Sequence, residues 1–236
     1  MDEAKEFIGI IGAMDSEVER YLKEATINQT IQWDIFTLYE AQLFGKDVVI
    51  VKSGVGKVFA SMLCERLIDE YKIKAILFTG VAGALAKDLN IGDVVISSDC
   101  IQYDMDVEAL GFSRGTIPYT KYRNFVSDPN LRKLAMTAKL ERNQIFEGRI
   151  LTGDQFLTKK ETDQFTYLIQ ELKGYAVEME GAAVAQVCTL NKTPFLIVRT
   201  ISDKADGTAL EDFTKFLPIV AQNSFVIVKT ILQNLP

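Results

Sequence analysis

The amino-acid sequence predicts an α/β fold: a single-domain three-layer sandwich with a mixed, mostly parallel central sheet flanked by helices. The main observation is that short apolar, β-branched runs alternate with segments of helical spacing along the chain. The chain has 236 residues, of which 48% are apolar and 25% charged, and this is sufficient for one large hydrophobic core. Because no linker or internal repeat interrupts the alternation, we expect one domain over residues 1–236.

Apolar or alternating runs predict the strands, at residues 7–11, 33–38, 40–44, 47–52, 75–79, 93–97, 145–151, 176–177 and 195–198. Apolar residues at helical spacing predict the helices, which begin near residue 18 and then span residues 58–71, 130–140, 162–172, 182–189 and 210–235. The second and third strands are expected to form an antiparallel hairpin. Residues 98–127 form a long connection with little pattern, and such connections are usually functional or interface segments.

Composition excludes several classes of function. A net charge of −6 without a basic stripe argues against a nucleic acid as partner. No apolar run approaches the length of a membrane span. The sequence contains no histidine, so histidine-based triads, histidine-ligated zinc and imidazole bases are excluded. Any acid–base chemistry must therefore come from carboxylates, lysine, tyrosine or water.

The cysteines and the first residues bear on the cellular compartment. Cys64, Cys100 and Cys188 are odd in number and widely spaced, which predicts buried free thiols in a reducing compartment and hence a cytoplasmic protein. The first residues, MDEAKEF, are acidic and lead directly into a strand, which is not the pattern of a signal peptide. Removal of an earlier leader remains open.

The strand at residues 195–198 is the first candidate for a functional position. Its apolar run is typical of a strand buried on both faces, yet the strand goes on to carry Arg199 and finishes on Ser202 and Asp203. In open α/β sheets, ligands bind outside the carboxyl ends of the strands. The charged pair at this strand end is therefore either part of a binding site or a structural salt bridge, and the segment alone leaves both open.

Other strand ends carry similar signals. Glu17 follows the first strand at the start of a helix, where it either contributes to a site or merely favours the helix N-terminus. Residues 53–57 form a glycine-rich turn into a helix, which can bind an anion or a polar ligand but lacks the spacing of a P-loop. The small residues at 80–84 indicate either close approach of a ligand to the backbone or close helix–strand packing.

Two glutamates follow the very short strand at residues 176–177. Glu178 and Glu180 alternate about Met179, so an extended segment would place both carboxylates on one face. Their repulsion must be offset by a cation, a proton or ligand hydroxyls. Arg199 is the candidate cation, and a ribose diol supplies suitable hydroxyls. The alternative is a solvated acidic turn before a helix.

Six motifs carry a resemblance to a known family, in order and over nearly the whole chain. They are IGIIGAMDSEVE (8–19), SGVGK (53–57), TGVAGAL (79–85), TGDQF (152–156), VEMEGAAVA (177–185) and VRTISDKAD (198–206). Together they resemble the 5′-methylthioadenosine/S-adenosylhomocysteine nucleosidases, which have the nucleoside phosphorylase-like fold. VEME combined with R-x-I-S-D is specific to this family, whereas the glycine turns are less so.

The resemblance implies hydrolysis of the N-glycosidic bond of 5′-methylthioadenosine and S-adenosylhomocysteine, and also of 5′-deoxyadenosine. The products are adenine and a thioribose, and the reaction serves methionine salvage and methyl-cycle detoxification. The family uses neither a cofactor nor a metal. Its transition state is a ribosyl cation, so catalysis requires an improved leaving group and a positioned water.

The resemblance also implies a role for each matching residue. Asp203 matches the general acid that donates a proton to nitrogen 7 of the purine, and Ser202 matches a residue that orients it. To be protonated near neutral pH, such an aspartate needs a pKa raised by burial or nearby charge. Glu17 matches the base that activates the attacking water, which Arg199 and Glu178 help to hold. The other substrate-binding positions are Glu180 at the ribose diol, Met179 beneath the sugar, Phe156 stacked on the adenine, Leu157 with its backbone at the adenine edge, Val81 near the water, and Met14 and Phe213 in the pocket.

A homodimer is implied as well, in which Val107, Leu110 and Pro118 cover the alkylthio end of the partner subunit's substrate. This chain departs from the family at two positions. Val81 stands where relatives have a serine near the attacking water, so water positioning is expected to depend more on Glu17 and Arg199. Leu110 replaces an aromatic residue, which could shift the preference between short and long substrate tails.

Three rival functions remain open at this point. A phosphorolytic relative would need several cations around the anion, for which Arg199 and Lys57 are the candidates, and Glu17 would repel phosphate. Hydrolysis of aminodeoxyfutalosine is compatible with the same active site. A non-catalytic nucleoside sensor would be expected to lack Asp203 or Glu17, and both are present.

Overall fold

The computed structural model describes residues 5–204 and 209–236, with side chains at residues 5–158, 160–204 and 221–236. Within these residues, ten strands form one sheet. The strands are β1 (Phe7–Gly12), β2 (Thr26–Trp33), β3 (Phe36–Leu43), β4 (Lys46–Lys52), β5 (Ile73–Ala84), β6 (Val94–Gln102), β7 (Phe125–Val126), β8 (Ile145–Thr152), β9 (Ala176–Glu178) and β10 (Phe195–Asp203). The helices are α1 (Asp15–Glu24), α2 (Lys57–Glu70), α3 (Pro129–Ala135), α4 (Lys159–Gln164), α5 (Tyr167–Gln170), α6 (Gly181–Asn191) and α7 (Ala209–Asn234).

Helices cover both faces of the sheet, as an apolar sheet buried on both sides requires. α2 and α6 pack on one face, where Leu63, Leu67 and Val184 are fully buried. α1, α3 and α7 pack on the other face, in a second apolar cluster that includes Leu131 and Ile231. The predicted mixed α/β sheet with flanking helices is therefore confirmed. None of the helices within the described residues has both the length and the apolar character needed to cross a bilayer.

β5 has three neighbouring strands. It pairs in parallel with β1 and β10, and its last residues, Gly83 and Ala84, pair antiparallel with β9. Because β10, β6, β8 and β9 are also joined edge to edge, these strands and β5 close into a ring. The closure brings the ends of β5, β9 and β10 together at the edge where α/β proteins bind ligands.

The predictions for β5 and for both strands of the hairpin are wrong in their bounds. β5 does not end at residue 79 but continues to Ala84, because the backbone of residues 80–84 keeps pairing with β10 and β9. The hairpin turns at Asp34 and Ile35, so its second strand is Phe36–Leu43 rather than 40–44, and its first strand is Thr26–Trp33 rather than 33–38. This strand escapes the sequence pattern because it is polar and exposed at the edge of the sheet. Asp34 adopts a left-handed conformation (φ 49°) that suits such a tight turn.

The connection predicted at residues 98–127 is partly regular. β6 continues to Gln102, a turn of 3₁₀ helix spans Glu108–Leu110, and β7 pairs with β6. The helix predicted at 162–172 is instead the two short helices α4 and α5, and the helix predicted at 130–140 ends at Ala135. The other predicted strands and helices are confirmed to within a few residues at either end.

Candidate active site

A cavity of about 280 Å³ opens at the ends of β1, β5, β9 and β10. Most of the predicted catalytic and substrate-binding residues line it. The lining consists of Ala13, Met14, Glu17, Val55, Val81, Ala82, Gly83, Gln155, Phe156, Leu157, Val177, Glu178, Met179, Glu180, Ser202 and Asp203. A larger cleft of about 1090 Å³ lies at the opposite edge of the sheet, but no predicted site residue lines it. Because buried carboxylates converge on the smaller cavity, it is the better candidate for an active site.

Glu17 is buried at the start of α1. One carboxylate oxygen, Oε2, accepts hydrogen bonds from the backbone N–H groups of Ala13 (2.7 Å) and Met14 (2.9 Å). The other, Oε1, accepts one from the N–H of Val81 (3.1 Å). Burial raises the pKa of Glu17, although the charge of Arg199 and the three N–H groups act in the opposite direction. Glu17 thus caps its helix and also faces the cavity, with a basicity that suits proton abstraction.

Arg199 is fully buried and pairs with Glu178. Its Nε and Nη2 donate to Glu178 Oε2 at 3.1 and 2.5 Å, and its Nη1 donates to the carbonyl of Phe78 at 3.2 Å. The same Oε2 accepts from the N–H groups of Glu180 (3.2 Å) and Gly181 (2.7 Å). Arg199 is therefore the predicted cation, but among the described residues its salt bridge is with Glu178 alone, and Arg199 itself is not among the residues that line the cavity.

Thr152 completes the surroundings of Glu178. The Thr152 hydroxyl accepts a hydrogen bond from the Ala182 N–H (2.7 Å) and donates one to Glu178 Oε1. Its position in the TGDQF motif was the only sequence signal for it, because the register Thr152↔Glu178 between β8 and β9 is not visible in the sequence. Thr152 and Arg199 together fix both oxygens of Glu178.

Glu180 lies at the N-terminal end of α6, where its Oε1 accepts a hydrogen bond from the Gly56 N–H (2.8 Å). Burial, and next the charge of Glu178, raise the pKa of Glu180 to about 8. Both glutamates are buried, at 7% and 6% exposure, so the alternative of a solvated acidic turn is wrong. The expected extended segment ends at Glu178: Glu180 (φ −140°, ψ −35°) already turns into the helix, although both carboxylates reach the cavity.

A β-bulge at the end of β10 places Ser202 and Asp203 together. The register with β5 shifts between Ile201, opposite Ala82, and Asp203, opposite Gly83. In a regular strand, adjacent side chains point to opposite faces, whereas a bulge redirects one of them. As a result the two side chains meet, with the Ser202 hydroxyl donating to Asp203 Oδ2 at 2.8 Å, and both residues line the cavity.

Gly80 explains why one of the small residues in β5 is needed. A Cβ atom at this position would lie 2.8 Å from Glu17 Oε1 and 3.1 Å from Arg199 Nη1. The missing side chain therefore lets the carboxylate and the guanidinium approach the same stretch of backbone. Neither alternative raised for residues 80–84 describes Gly80: the close approach is that of the Glu17 and Arg199 side chains, and the backbone there pairs with the neighbouring strand β10.

Some predicted positions lie away from the cavity or outside the described side chains. Val107, Leu110 and Pro118 do not line it, and Leu110 is 62% exposed. Their predicted substrate belongs to a partner subunit, so their role stays a prediction. Phe213 is outside the residues whose side chains are described. Val81 does line the cavity, and its backbone N–H holds Glu17.

Comparison with known proteins places these features in context. The family model of the Phosphorylase superfamily matches residues 7–233 of this chain. The 5′-methylthioadenosine/S-adenosylhomocysteine nucleosidase of Haemophilus influenzae strain PittEE is 37% identical over 231 residues, covering 97% of this chain and 99% of the relative. The enzyme of the same name from Colwellia psychrerythraea is 36% identical over 234 residues, covering 96% of each chain.

Solved structures agree with the sequence relatives. The Neisseria meningitidis 5′-methylthioadenosine/S-adenosylhomocysteine nucleosidase, in complex with methylthio-immucillin-A, superposes with a TM-score of 0.91 at 35% identity, over 97% of this chain and 99% of that chain. The futalosine hydrolase of Helicobacter pylori strain 26695 superposes with a TM-score of 0.90 at 33% identity, over 98% of each chain.

Proposed function

The chain belongs to the 5′-methylthioadenosine/S-adenosylhomocysteine nucleosidases of the phosphorylase superfamily, and from this premise we propose its substrates, its mechanism and its assembly. It is an enzyme that hydrolyses N-glycosidic bonds. We propose that it cleaves 5′-methylthioadenosine, S-adenosylhomocysteine and 5′-deoxyadenosine to adenine and the corresponding ribose, in methionine salvage and methyl-cycle detoxification. The family match over residues 7–233 supports a single domain spanning residues 1–236.

In the proposed mechanism, Asp203 donates a proton to nitrogen 7 of the purine as the bond from the ribose to nitrogen 9 breaks. The electron pair of that bond leaves with the adenine. Glu17 takes a proton from water as the water oxygen bonds to the electron-poor ribose carbon. Glu180 accepts hydrogen bonds from the ribose diol, and Arg199 and Glu178 support the water. Placing donors and charges in a buried site before the reaction is what makes them effective.

One observation carries the proposal: Glu17 and Asp203, from opposite ends of the sequence, are buried on the same cavity. Glycoside hydrolysis commonly needs an acid and a base on either side of the bond that breaks. Among the described residues, no lysine or arginine lines this cavity, and the charge of Arg199 next to it is paired with Glu178. No unpaired cation among them is therefore offered to a phosphate, and an ionised Glu17 would repel one, which favours water as the nucleophile.

The direct test follows adenine release from 5′-methylthioadenosine and from S-adenosylhomocysteine, first without phosphate and then with it. We expect release that needs no phosphate and yields the free thioribose. Release only in the presence of phosphate, with a ribose 1-phosphate product, would overturn the hydrolase proposal. Absence of release with adenine still bound would indicate a sensor instead.

A second substrate class is favoured by one observation, the likeness to the Helicobacter pylori futalosine hydrolase. Because the proposed chemistry acts at the purine and the ribose, a larger group on the ribose 5′ carbon leaves it unchanged. Aminodeoxyfutalosine is therefore included in the same assay. A kcat/KM for it within about tenfold of that for methylthioadenosine, a difference of about 1.4 kcal/mol, would show that the chain serves both substrates.

We also propose a homodimer in the cytoplasm. Val55, Val58, Phe59 and Met62 form an exposed apolar surface at the start of α2, and Val58 is 77% exposed. Apolar patches of this kind often mark subunit interfaces. In the dimer, Val107, Leu110 and Pro118 would cover the substrate of the partner subunit. The cysteines Cys64, Cys100 and Cys188 are buried and free, which supports a reducing compartment.

Replacing Gly80 with alanine should damage the site while leaving the fold intact. The added Cβ requires Glu17 and Arg199 to move by a few tenths of an ångström or more. Overpacking of this kind lowers the free energy of unfolding by about 1–3 kcal/mol. We expect kcat to fall about 10²-fold or more, because a small displacement of catalytic groups has an effect of this size. Gly45→Ala, far from the cavity, is the matched control. A Cβ at Gly45 would meet no atom within 4 Å. Alanine is strained there by the φ of 80°, so this variant reports the effect of backbone strain without a steric effect on the site. Steady-state kinetics and thermal melting decide: equal kcat loss in both variants would contradict the steric role of Gly80.

The raised pKa of Glu180 predicts a pH dependence of stability. An unfolded glutamate ionises near pH 4.5, whereas folded Glu180 ionises near pH 8. Between these values the folded protein binds more protons, so its free energy of unfolding falls as pH rises. Glu180→Gln cannot ionise and therefore does not lose stability in this way. Above pH 8 the variant should melt at a higher temperature than the wild-type free protein, by about 2–4 °C for each kcal/mol by which its free energy of unfolding is higher. The same variant should bind nucleosides poorly, since it has only one oxygen in place of the two of the Glu180 carboxyl group.

Glu178→Gln provides the contrast for that measurement. This substitution leaves Arg199 buried without its carboxylate partner, which typically costs about 3–5 kcal/mol. We therefore expect Glu178→Gln to lower the melting temperature at every pH. Similar effects of the two substitutions would show that Glu180 is not held at a raised pKa in the free protein.

A further inference from the structure

An ion cluster of Lys57, Asp104 and Asp154 lies beside the cavity. Lys57 Nζ is 2.8 Å from both carboxylate oxygens of Asp104 and 3.7 Å from Asp154 Oδ2. The lysine side chain is only 18% exposed, so its charge is less screened than that of a surface lysine. Lys57 is the first residue of α2, and the two aspartates follow the ends of β6 and β8. The cluster therefore joins three connections that are distant in sequence.

Backbone hydrogen bonds connect this cluster to the cavity lining. The Lys57 N–H donates to Asp154 Oδ1, and the Asp154 N–H donates to Asp104 Oδ2, both at 3.1 Å. The residue before Lys57 is Gly56, whose N–H donates to Glu180 Oε1 at 2.8 Å. The residues after Asp154, at positions 155–157, line the cavity and include Phe156. The cluster is thus one residue from the N–H group that binds Glu180 and two residues from Phe156 along the chain.

We infer that Lys57 is a positioning residue for nucleoside binding, acting through Gly56 on Glu180 and through Asp154 on Phe156. Lys57 does not line the cavity, so it acts without touching the substrate. The inference rests on the proposed function, in which Glu180 binds the ribose diol and Phe156 stacks on the adenine. Its physical basis is charge balance: without the lysine, the carboxylates of Asp104 and Asp154 would face each other and repel.

The test compares Lys57→Met with the double variant Lys57→Met/Asp104→Asn in methylthioadenosine hydrolysis. Methionine keeps an unbranched side chain of similar length and removes the charge. We expect Lys57→Met to raise KM about tenfold with kcat nearly unchanged, the pattern of lost ground-state binding. The double variant removes the repulsion as well, so its KM should return part of the way to the wild-type value. Coupling of this kind appears only between groups that interact.

Lys52→Met is the matched control. Lys52 is also a lysine paired with an aspartate, Asp15 at 2.8 Å, but it is 44% exposed and does not line the cavity. Its substitution should leave KM unchanged. A kcat loss without a KM change in Lys57→Met, or a double variant worse than the single one, would overturn the inference.

Adenine binding, measured by calorimetry, separates this inference from the proposed function. It needs no turnover and depends on Phe156. If the wild-type protein binds adenine without hydrolysing any nucleoside, the proposed function fails. The role of Lys57 is then still supported if Lys57→Met binds adenine about tenfold more weakly than the wild type does. Equal adenine binding by the two proteins in that case would overturn it. A wild-type protein that neither hydrolyses nucleosides nor binds adenine would overturn both.

Discussion

Asp203→Asn should lower kcat by about 10³-fold or more, the range expected when a general acid is removed. Asparagine has nearly the same shape, and its amide can still hydrogen-bond to the purine, but it cannot transfer a proton to it. The Ser202 hydroxyl, now 2.8 Å from Asp203 Oδ2, can donate equally well to an asparagine oxygen. The fold and the affinity for adenine should therefore change little.

The measurement is single-turnover adenine release together with the dissociation constant for adenine. Ser202→Ala is the comparison, because it leaves the acid in place and removes only its orienting hydrogen bond. We expect a loss of about fivefold for Ser202→Ala, in keeping with about 1 kcal/mol for a neutral hydrogen bond. If Asp203→Asn kept a tenth or more of the wild-type rate, another group would have to be the acid.

Asp203, Glu17 and Glu180 could be identified from the sequence as candidate site residues for one physical reason. A strand buried on both faces should consist of apolar residues, so an ionisable group at its end stands out. Arg199, directly after the apolar residues 195–198 of β10, is the strongest case, and its pairing with Glu178 follows from the cost of an unpaired buried charge. These residues could be placed at one edge of the sheet from the strand pattern alone.

The contacts that orient those groups were not predictable in the same way. Thr152 bonds to Glu178 across 26 positions in sequence, and Lys57 bonds to Asp104 across 47. Such contacts depend on which strands become neighbours and in which register, whereas periodicity reports only which face of an element is buried. The backbone donors from Gly56 and Val81 leave no trace in residue type, because every residue except proline has an N–H.

The β-bulge in β10 is a further case. Strand alternation predicts that Ser202 and Asp203 point to opposite faces, yet the register shift after Ile201 places both on the cavity. The extended end of β5 is similar: Gly80 and Gly83 look like a turn in the sequence, but they remain in the strand because β9 and β10 pair with it there. In both places tertiary pairing overrides the local pattern.

Glu17→Gln is expected to have an effect as large as that of Asp203→Asn, for two separate reasons. Glutamine cannot accept a proton from water, which should lower kcat by about 10³-fold. In addition, both carboxylate oxygens of Glu17 accept hydrogen bonds from N–H groups, those of Ala13, Met14 and Val81. An amide NH₂ must face at least one of these donors, and an unsatisfied buried donor costs about 1–3 kcal/mol.

The two effects can be separated by the pH dependence of kcat/KM in the wild-type enzyme. Glu17 must be ionised to act as the base, and burial raises its pKa above 4.5. Activity should therefore fall as pH drops through that raised value, and Glu17→Gln should lose this acidic limb along with most of its rate. Glu19→Gln is the matched control on the same helix, because Glu19 is 62% exposed and pairs only with Lys23 among the ion pairs of the described residues. If the remaining activity of Glu17→Gln still fell at low pH, a different carboxylate would have to activate the water. If the fall at low pH disappeared in Glu17→Gln and stayed unchanged in Glu19→Gln, Glu17 would be the base.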